Sequence, residues 1–256
     1  MTDTPAIKTE RLCKHFGEKK AVEALDLDIA PGTFYCFLGP NGAGKTTTIK
    51  MLTGLLHPSG GRALLAGHDI QKDPVAAKRL LGYVPDHPFL YDKLTGNEFM
   101  QFVAGLYQMD ARDFEARRGR LLEMFEIAAV ADQLIEDYSH GMRQKLSFAS
   151  CFLHDPKIVI VDEPWVGLDP KNIRFVKDFL KQRCREDGLT VFMSTHTLAI
   201  AEEIADRIGI IHRGRLLHTG SVGDIKALRE AGGSLEDVFL EITRDEEEPV
   251  GAGSVA

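Results

Sequence analysis

The sequence has no long apolar run and few cysteines. No stretch approaches the roughly 18 consecutive apolar residues that a membrane-spanning helix needs, so we expect no such helix. Residues 1–5 lack the basic start and apolar core of a signal peptide. The four cysteines (Cys13, Cys36, Cys151 and Cys184) lack paired spacing, which argues against a zinc site and a disulfide framework. We therefore expect a cytoplasmic protein that reaches a membrane only through a partner.

The chain also lacks an excess of positive charge. Its formal net charge is −7, and from residue 241 onward five acids against one arginine account for four of these negative charges. Such a chain has no global attraction for nucleic acid, so we expect no nucleic-acid partner. The tail, residues 241–256, has too little apolar content to fold and is predicted to be disordered. With 44% hydrophobic residues, the remainder can bury a core.

Three continuous apolar runs predict buried strands of a parallel sheet. They are residues 34–38, 158–161 and 191–193, and helical segments lie between them. An alternating segment at residues 25–29 predicts a further, half-buried strand. Strands that alternate with helices indicate an α/β fold.

The middle of the chain has a helical pattern instead. Thr95 followed by Glu98 forms a capping-box start, and Phe99 and Val103 then fall on one helical face. We interpret residues 87–155 as a mostly helical subdomain inserted into the sheet domain. A long crossover within one layer is the alternative.

Residues 39–46 read Gly-Pro-Asn-Gly-Ala-Gly-Lys-Thr and fit the pattern G-x-x-x-x-G-K-[ST]. The glycines let successive backbone N–H groups turn inward as an anion nest at a helix start. Lys45 can reach the β- and γ-phosphates, and the Thr46 hydroxyl can ligate Mg²⁺. The loop therefore predicts binding of Mg-ATP. The residues expected to bind the nucleotide here are Gly39, Pro40, Asn41, Gly42, Ala43, Gly44, Lys45, Thr46 and Thr47.

Polar residues follow the other two buried strands. Asp162 and Glu163 come directly after Val161, and His196 follows the third strand. Ligands of open α/β sheets bind at the carboxyl ends of the strands. We expect Asp162 to hold the Mg²⁺ shell, Glu163 to polarise the attacking water and His196 to hold that water in line. Together with Lys45, Glu163 and His196 are the predicted catalytic residues.

The order of these motifs resembles the nucleotide-binding domain of the ATP-binding cassette (ABC) transporter family. A segment that reads Ser-His-Gly-Met-Arg-Gln-Lys, residues 139–145, lies upstream of Asp162, and the resemblance covers about residues 5–240. It implies a P-loop NTPase (RecA-like) sheet core with an antiparallel β part and an inserted helical subdomain. The predicted organisation is one domain over 1–240, with a core at 1–86 and 156–225, a helical subdomain at 87–155 and a C-terminal helix at 226–240. The disordered acidic tail, 241–256, follows this domain.

The resemblance also implies further nucleotide contacts. Phe16 takes the position of the aromatic residue that stacks on adenine, and Asp169 belongs to the segment that resembles the D-loop. Ser139 and the backbone of Gly141, at a helix start, form a second anion site. In this family two domains pair head to tail, and each ATP lies between one phosphate loop and the second anion site of the other domain. A transmembrane permease subunit is the other expected partner.

Two departures from the family pattern stand out. Asp86 occupies a position where the family has a glutamine that contacts Mg²⁺; an aspartate is still a hard oxygen donor, so Asp86 is a candidate metal ligand. The signature reads Tyr-Ser-His-Gly-Met at residues 138–142, where the family has Leu-Ser-Gly-Gly-Gln. His140 and Met142 either change the packing against the nucleotide of the paired domain or have no consequence. With the Leu-Glu-Asp-Val-Phe segment at 235–239, these features resemble the bacterial ABC-2-type exporter ATPases.

The segment Pro-Phe-Leu-Tyr at residues 88–91 either packs inside the junction of the lobes or forms a groove for a helix of the permease. The predicted function is an ATPase that energises transport, with export as the expected direction, through a separate membrane subunit at the inner face of the cell membrane. Two alternatives remain. One is a soluble ABC ATPase that acts on DNA or the ribosome, and the other is a catalytically idle, nucleotide-gated scaffold.

Overall fold

A computed structural model describes residues 4–165, 168–228 and 235–244, with the backbone alone at 242–244. The strands are β1 (Ile7–Phe16), β2 (Lys19–Ile29), β3 (Phe34–Leu38), β4 (Gly60–Leu65), β5 (His68–Asp69), β6 (Leu81–Val84), β7 (Ile158–Asp162), β8 (Thr190–Thr195), β9 (Arg207–His212) and β10 (Arg215–Ser221). The α-helices are α1 (Lys45–Leu52), α2 (Pro74–Arg79), α3 (Gly96–Leu106), α4 (Ala111–Met124), α5 (His140–Cys151), α6 (Pro170–Asp187), α7 (Leu198–Ile204), α8 (Val222–Lys226) and α9 (Leu235–Arg244).

A six-stranded sheet forms the centre of the molecule, in the order β10-β9-β3-β8-β7-β6. The pairs β9–β3, β3–β8, β8–β7 and β7–β6 are parallel, and β10 runs antiparallel to β9. The three predicted apolar runs become β3, β7 and β8, which lie side by side. The predicted α/β fold is therefore confirmed.

Both faces of the central sheet are covered, which explains the uninterrupted apolar runs. Along β3, Tyr35 and Phe37 point into one core, which is shared with α1 and with a smaller antiparallel sheet in the order β2-β1-β4-β5. Phe34, Cys36 and Leu38 point into the other core, which includes buried residues of α3, α4 and α5. The alternation of side chains along one strand thus joins the antiparallel part and the helical part to one sheet.

The helical part begins as the sequence predicts. The Thr95 hydroxyl accepts a hydrogen bond from the Glu98 N–H at 3.1 Å, and the Glu98 carboxylate accepts one from the Thr95 N–H at 2.8 Å. This capping box starts α3, and two 3-10 turns, Ala128–Val130 and Ile135–Asp137, separate α4 from α5. The division of the chain at residues 87 and 155 remains a prediction. Among the described helices, none is both long and apolar enough to cross a bilayer.

The carboxyl-terminal part differs from the predicted boundaries. α8 ends at Lys226, where the C-terminal helix was expected to begin. α9 continues to Arg244, into the stretch expected to be a disordered tail from residue 241. The apolar spacing of residues 235, 238 and 239 continues at 242 in the sequence, so the helical pattern extends beyond the predicted end. Residues 229–234 and the tail from 245 lie outside the described residues.

Candidate nucleotide-binding site

The predicted site residues follow four adjacent parallel strands. Gly39 follows β3, His196 follows β8, and Asp86 follows β6; Asp162 ends β7, and Glu163 follows it directly. Because the carboxyl ends of parallel strands meet at one edge of a sheet, segments that are far apart in the sequence come together there. The edge therefore combines a glycine-rich loop with three carboxylates and an imidazole.

The phosphate loop connects β3 to α1 in a conformation that requires glycine. Gly42 and Gly44 have φ values of 81° and 112°, in the left-handed region. A Cβ atom on Gly39 would lie 2.4 Å from the carbonyl oxygen of Ile211, and one on Gly44 would lie 2.6 Å from that of Ala21. Gly44 is also the N-cap of α1, so no side chain covers the first N–H groups of that helix. These N–H groups and the helix dipole form an anion-binding site.

The Lys45 ammonium lies beneath this loop. The side chain is only 6% exposed, and its Nζ donates hydrogen bonds to the carbonyl oxygens of Gly39, at 2.7 Å, and Pro40, at 3.3 Å. The same Nζ is 3.5 Å from Oε1 of Glu163. A buried ammonium needs such partners because desolvation of an unpaired charge is costly. Lys45 therefore joins the loop to the acidic end of β7.

Asp162 is buried and uses only one of its two oxygens. Oδ1 accepts a hydrogen bond from the Ser194 hydroxyl at 2.5 Å, whereas the buried Oδ2 has no hydrogen-bond partner. Burial raises the pKa of Asp162, and the carboxylates of Asp86 and Glu163 act in the same direction; the hydroxyls of Ser194 and Thr46 oppose this rise. An unpartnered carboxylate oxygen close to the Thr46 hydroxyl is a donor set that suits a hard cation such as Mg²⁺.

Glu163 lies between Lys45 and His196. Its Oε2 is 3.0 Å from Nδ1 of His196, which is more than half exposed. The backbone of Glu163 has a φ of 45°, a strained value for a residue with a side chain. The structure thus brings together the three predicted catalytic residues, Lys45, Glu163 and His196.

Two further predicted contacts lie at the rim of this edge. The ring of Phe16 is 51% exposed, and the Lys14 ammonium is 5.2 Å from its centroid. Phe16 ends β1 in the hairpin with β2, and Ala21 of β2 lies against Gly44 of the loop. Asp86 accepts a hydrogen bond from the N–H of His87 at 2.8 Å and lies close enough to Asp162 to raise its pKa.

Three predicted contacts lie at helix starts: Ser139 and Gly141 at the start of α5, and Asp169 at the start of α6. The hydrogen bonds that the side chains of Ser139 and Asp169 accept come from the first turn of the same helix. The Ser139 hydroxyl caps α5 and accepts from the N–H of Met142 at 3.3 Å. A Cβ atom on Gly141 would meet nothing within 4 Å, so this helix start is open to an approaching group. Asp169 caps α6, and the backbone N–H and side-chain amide of Asn172 contribute to its lowered pKa.

Two buried polar residues next to the acids were not predicted from the sequence. Ser194 contacts Asp162 and the backbone of Glu163, and Gln144 of α5 donates from Nε2 to the carbonyl oxygen of Pro164 at 3.5 Å. A serine inside an apolar strand, two residues before His196, is a signal that could have identified Ser194. Gln144 lies within the segment that carries the resemblance, residues 139–145, but no role was assigned to it there.

The chain is similar to known proteins over nearly its whole length. The family model described as ABC transporter matches residues 22–166, more than half of the chain. The daunorubicin resistance ATP-binding protein DrrA3 of Streptomyces coeruleorubidus is 37% identical over 240 residues, which cover 94% of this chain and 75% of that protein. The bacitracin transport ATP-binding protein BcrA of Bacillus licheniformis is 36% identical over 214 residues, covering 82% and 68% of the two chains.

A solved structure agrees with these relatives. It is described as the ATP-binding subunit of an ABC transporter and superposes with a TM-score of 0.88 at 30% identity, covering 93% of this chain and 99% of the other. The matched family segment contains the phosphate loop, Ser139 and Asp162, and the fold extends the agreement to His196. The chain therefore belongs to the ABC transporter family, as an ATP-binding and ATP-hydrolysing subunit.

Proposed function

We propose that this subunit hydrolyses Mg-ATP between two cassettes paired head to tail and thereby drives export through a separate membrane permease. The observation that carries this proposal is the convergence of Lys45, Asp162, Glu163 and His196 at the ends of adjacent strands, directly beside the phosphate loop. We place the subunit at the inner face of the cell membrane, bound through the permease.

In the proposed reaction, the loop N–H groups and Lys45 bind the β- and γ-phosphates. Thr46 and Asp162, with Asp86 as a third candidate, would hold Mg²⁺, which neutralises phosphate charge. Glu163 accepts a proton from the water that attacks the γ-phosphorus, and the bond from this phosphorus to the bridging oxygen breaks, so that ADP and phosphate leave. His196, 3.0 Å from Glu163, hydrogen-bonds the γ-phosphate and holds that water in line. Phe16 stacks on adenine through its exposed ring.

One cassette supplies only part of this site. Ser139 and Gly141 lie at an open helix start, which is an anion-binding element of its own. We propose that this element and Asp169 face the nucleotide of the paired cassette. A triphosphate enclosed from both sides loses water and gains preorganised donors, which favours the transition state of hydrolysis.

An exposed aromatic patch is the proposed contact with the permease. We define this aromatic patch as Phe89, Tyr91 and Phe102. Phe89 is 83% exposed, so the alternative in which it packs inside the junction of the lobes is wrong for this residue. The Tyr91 ring meets that of Phe102 edge-on, with centroids 5.3 Å apart. Exposed aromatic side chains on a supported surface are typical anchors of protein interfaces.

Export is the direction favoured by the relatives, one of which is named for daunorubicin resistance and another for bacitracin transport. The net charge of −7 disfavours the alternative in which the chain acts on nucleic acid. The idle-scaffold alternative is disfavoured because Glu163 and His196 are both present and in contact.

Glu163→Gln tests the proposed function. The amide cannot accept the proton of the attacking water, so we expect ATP turnover to fall by at least about 100-fold while ATP binding persists. ATP-bound dimers should then accumulate and be measurable by light scattering after gel filtration. Glu123→Gln, on the exposed side of α4, is the matched control and should behave as the wild type. Unchanged hydrolysis in Glu163→Gln would remove this residue from the proposed role.

A further inference from the structure

Ser194 is a fully buried polar residue of β8 at the edge that carries the site. Its exposed fraction is 0%, and it lies opposite Asp162 in the parallel pairing of β7 and β8. The hydroxyl makes two hydrogen bonds: it donates to Oδ1 of Asp162 at 2.5 Å and accepts from the N–H of Glu163 at 3.1 Å. One side chain therefore contacts both acids at the end of β7.

The first hydrogen bond decides which oxygen of Asp162 stays available. A carboxylate can turn about its last side-chain bond, and an oxygen that accepts from Ser194 is fixed toward β8. Oδ2 is then left buried without a partner, on a carboxylate close to the Thr46 hydroxyl. A buried acceptor without a partner costs free energy unless another group binds it. The arrangement suits a carboxylate that presents one oxygen to a cation.

The second hydrogen bond holds the strained backbone of Glu163. A φ of 45° is strained in a residue with a side chain and persists only where the surroundings enforce it. The Glu163 N–H is shared between the hydroxyl of Ser194, at 3.1 Å, and its carbonyl oxygen, at 3.3 Å. In this conformation the Glu163 carboxylate reaches both Lys45 and His196.

We propose that Ser194 is a positioning residue that orients Asp162 for metal binding and Glu163 for accepting the proton of the water that attacks the γ-phosphate. The proposal rests on the roles given above to these two acids. A hydroxyl suits this fully buried position because it donates to one group and accepts from the other. Ser194 acts through the acids and need not touch the nucleotide.

The test separates metal-dependent from metal-independent binding of nucleotide. The affinity of the protein for a fluorescent ATP analogue is measured with Mg²⁺ and with EDTA, and the ratio of the two affinities is the metal-dependent gain. Ser194→Ala should reduce this gain by about tenfold or more and leave the affinity in EDTA unchanged, as loss of a group that orients a metal ligand does. ATP turnover should show a larger fall in kcat than rise in KM.

Thr190→Val is the matched control. Thr190 lies in the same strand, is equally buried, and its hydroxyl accepts a hydrogen bond from the Gly32 N–H at 2.9 Å at the opposite edge of the sheet. This change also removes a buried hydroxyl but should leave the metal-dependent gain at the wild-type value. Ser194→Thr, which keeps the hydroxyl, should retain most of the gain.

Two results would overturn the proposal. One is an unchanged metal-dependent gain in Ser194→Ala, and the other is an equal loss of affinity with and without Mg²⁺, which would indicate a distorted loop. If Ser194→Ala does not fold, Ser194→Cys replaces it, because a thiol has a similar volume but is a weak donor; a wild-type gain in that variant also refutes the idea. A wild-type protein whose affinity is independent of Mg²⁺ would instead refute the metal assignment in the proposed function.

Discussion

Asp86 brings a third carboxylate to the edge where Asp162 and Glu163 already lie. Burial is the main cause of the raised pKa of Asp162, and the charge of Asp86 acts in the same direction. Each carboxylate near the γ-phosphate adds repulsion unless a cation lies between them. At the residue scale, Asp86 is therefore expected to weaken the binding of ATP while it offers an oxygen to the metal.

The variant Asp86→Asn measures this effect. It removes the charge and keeps an oxygen, so we expect ATP to bind more tightly and basal turnover to rise. Each quantity should change by about three- to tenfold, which is the effect expected from the removal of one unit charge near the protein surface. Titration with nucleotide and a steady-state phosphate-release assay provide the two quantities. Asp178→Asn on the exposed side of α6 is the control. If both quantities stay at wild-type values in Asp86→Asn, the repulsion is unimportant.

At the scale of elements, hydrogen bonds connect the phosphate loop to the β9–β10 hairpin and, through it, to the β1–β2 hairpin. The N–H of Gly214, in the turn between β9 and β10, donates to the carbonyl oxygen of Ala43 at 2.8 Å. The carbonyl oxygen of Gly214 accepts from the N–H of Glu23 in β2, also at 2.8 Å. This glycine has a φ of 82° and links the loop to the antiparallel sheet. The conformation of the loop thus depends on elements almost 200 residues apart.

Gly214→Ala should disturb this support. Its Cβ would lie 2.8 Å from the carbonyl oxygen of Ala21, so the turn has to move away from the loop. We expect nucleotide affinity to fall by about tenfold, equally with Mg²⁺ and with EDTA, because the anion nest and not the metal is affected. The same fluorescence titration measures both values.

Gly188→Ala is the matched control for this change. Gly188 has a φ of 68° but nothing within 4 Å of the added atom, so the variant carries the backbone strain without the clash. It should lose about 1 kcal/mol in the free energy of unfolding and keep its nucleotide affinity. Equal affinities in the Gly214 and Gly188 variants would contradict a supporting role for the β9–β10 turn.

At the scale of the whole molecule, one core joins the site to the proposed permease surface. Buried residues of β3, β7 and β8 belong to the same core as buried residues of α3 and α5. Phe99 and Phe102 of α3 contact Tyr91 of the aromatic patch, and Ser139 begins α5. Movement of the helices relative to the sheet would therefore displace the patch and the second anion site together.

Phe89→Ala tests the surface itself. Phe89 is exposed, so its removal should leave stability and ATP binding unchanged, whereas co-purification with a co-expressed permease of the same transporter should be lost. Thermal unfolding of the isolated subunit checks the fold. Leu228→Ala, another exposed apolar residue, is the control and should leave co-purification intact. Intact co-purification of Phe89→Ala would place the permease contact elsewhere.

The sequence by itself determined the parts that depend on local spacing. The phosphate loop, the Thr95 capping box and the apolar runs of β3, β7 and β8 are each specified within a few neighbouring residues, and the structure contains them where they were predicted. The predicted boundaries at the carboxyl terminus differ from those of the structure, because the pattern of α9 continues into a charged stretch. The roles assigned to Asp86, Ser139 and Phe16 remain predictions.

Only the tertiary structure decided how the strand ends combine. β8 lies between β3 and β7, although it follows β7 in the chain, and this order places Ser194 beside Asp162 and Glu163. The left-handed backbone of Glu163 and the exposure of Phe89 likewise depend on groups that are distant in sequence. The physical reason is that local spacing fixes which groups are present, whereas strand pairing and desolvation fix which of them share a hydrogen bond.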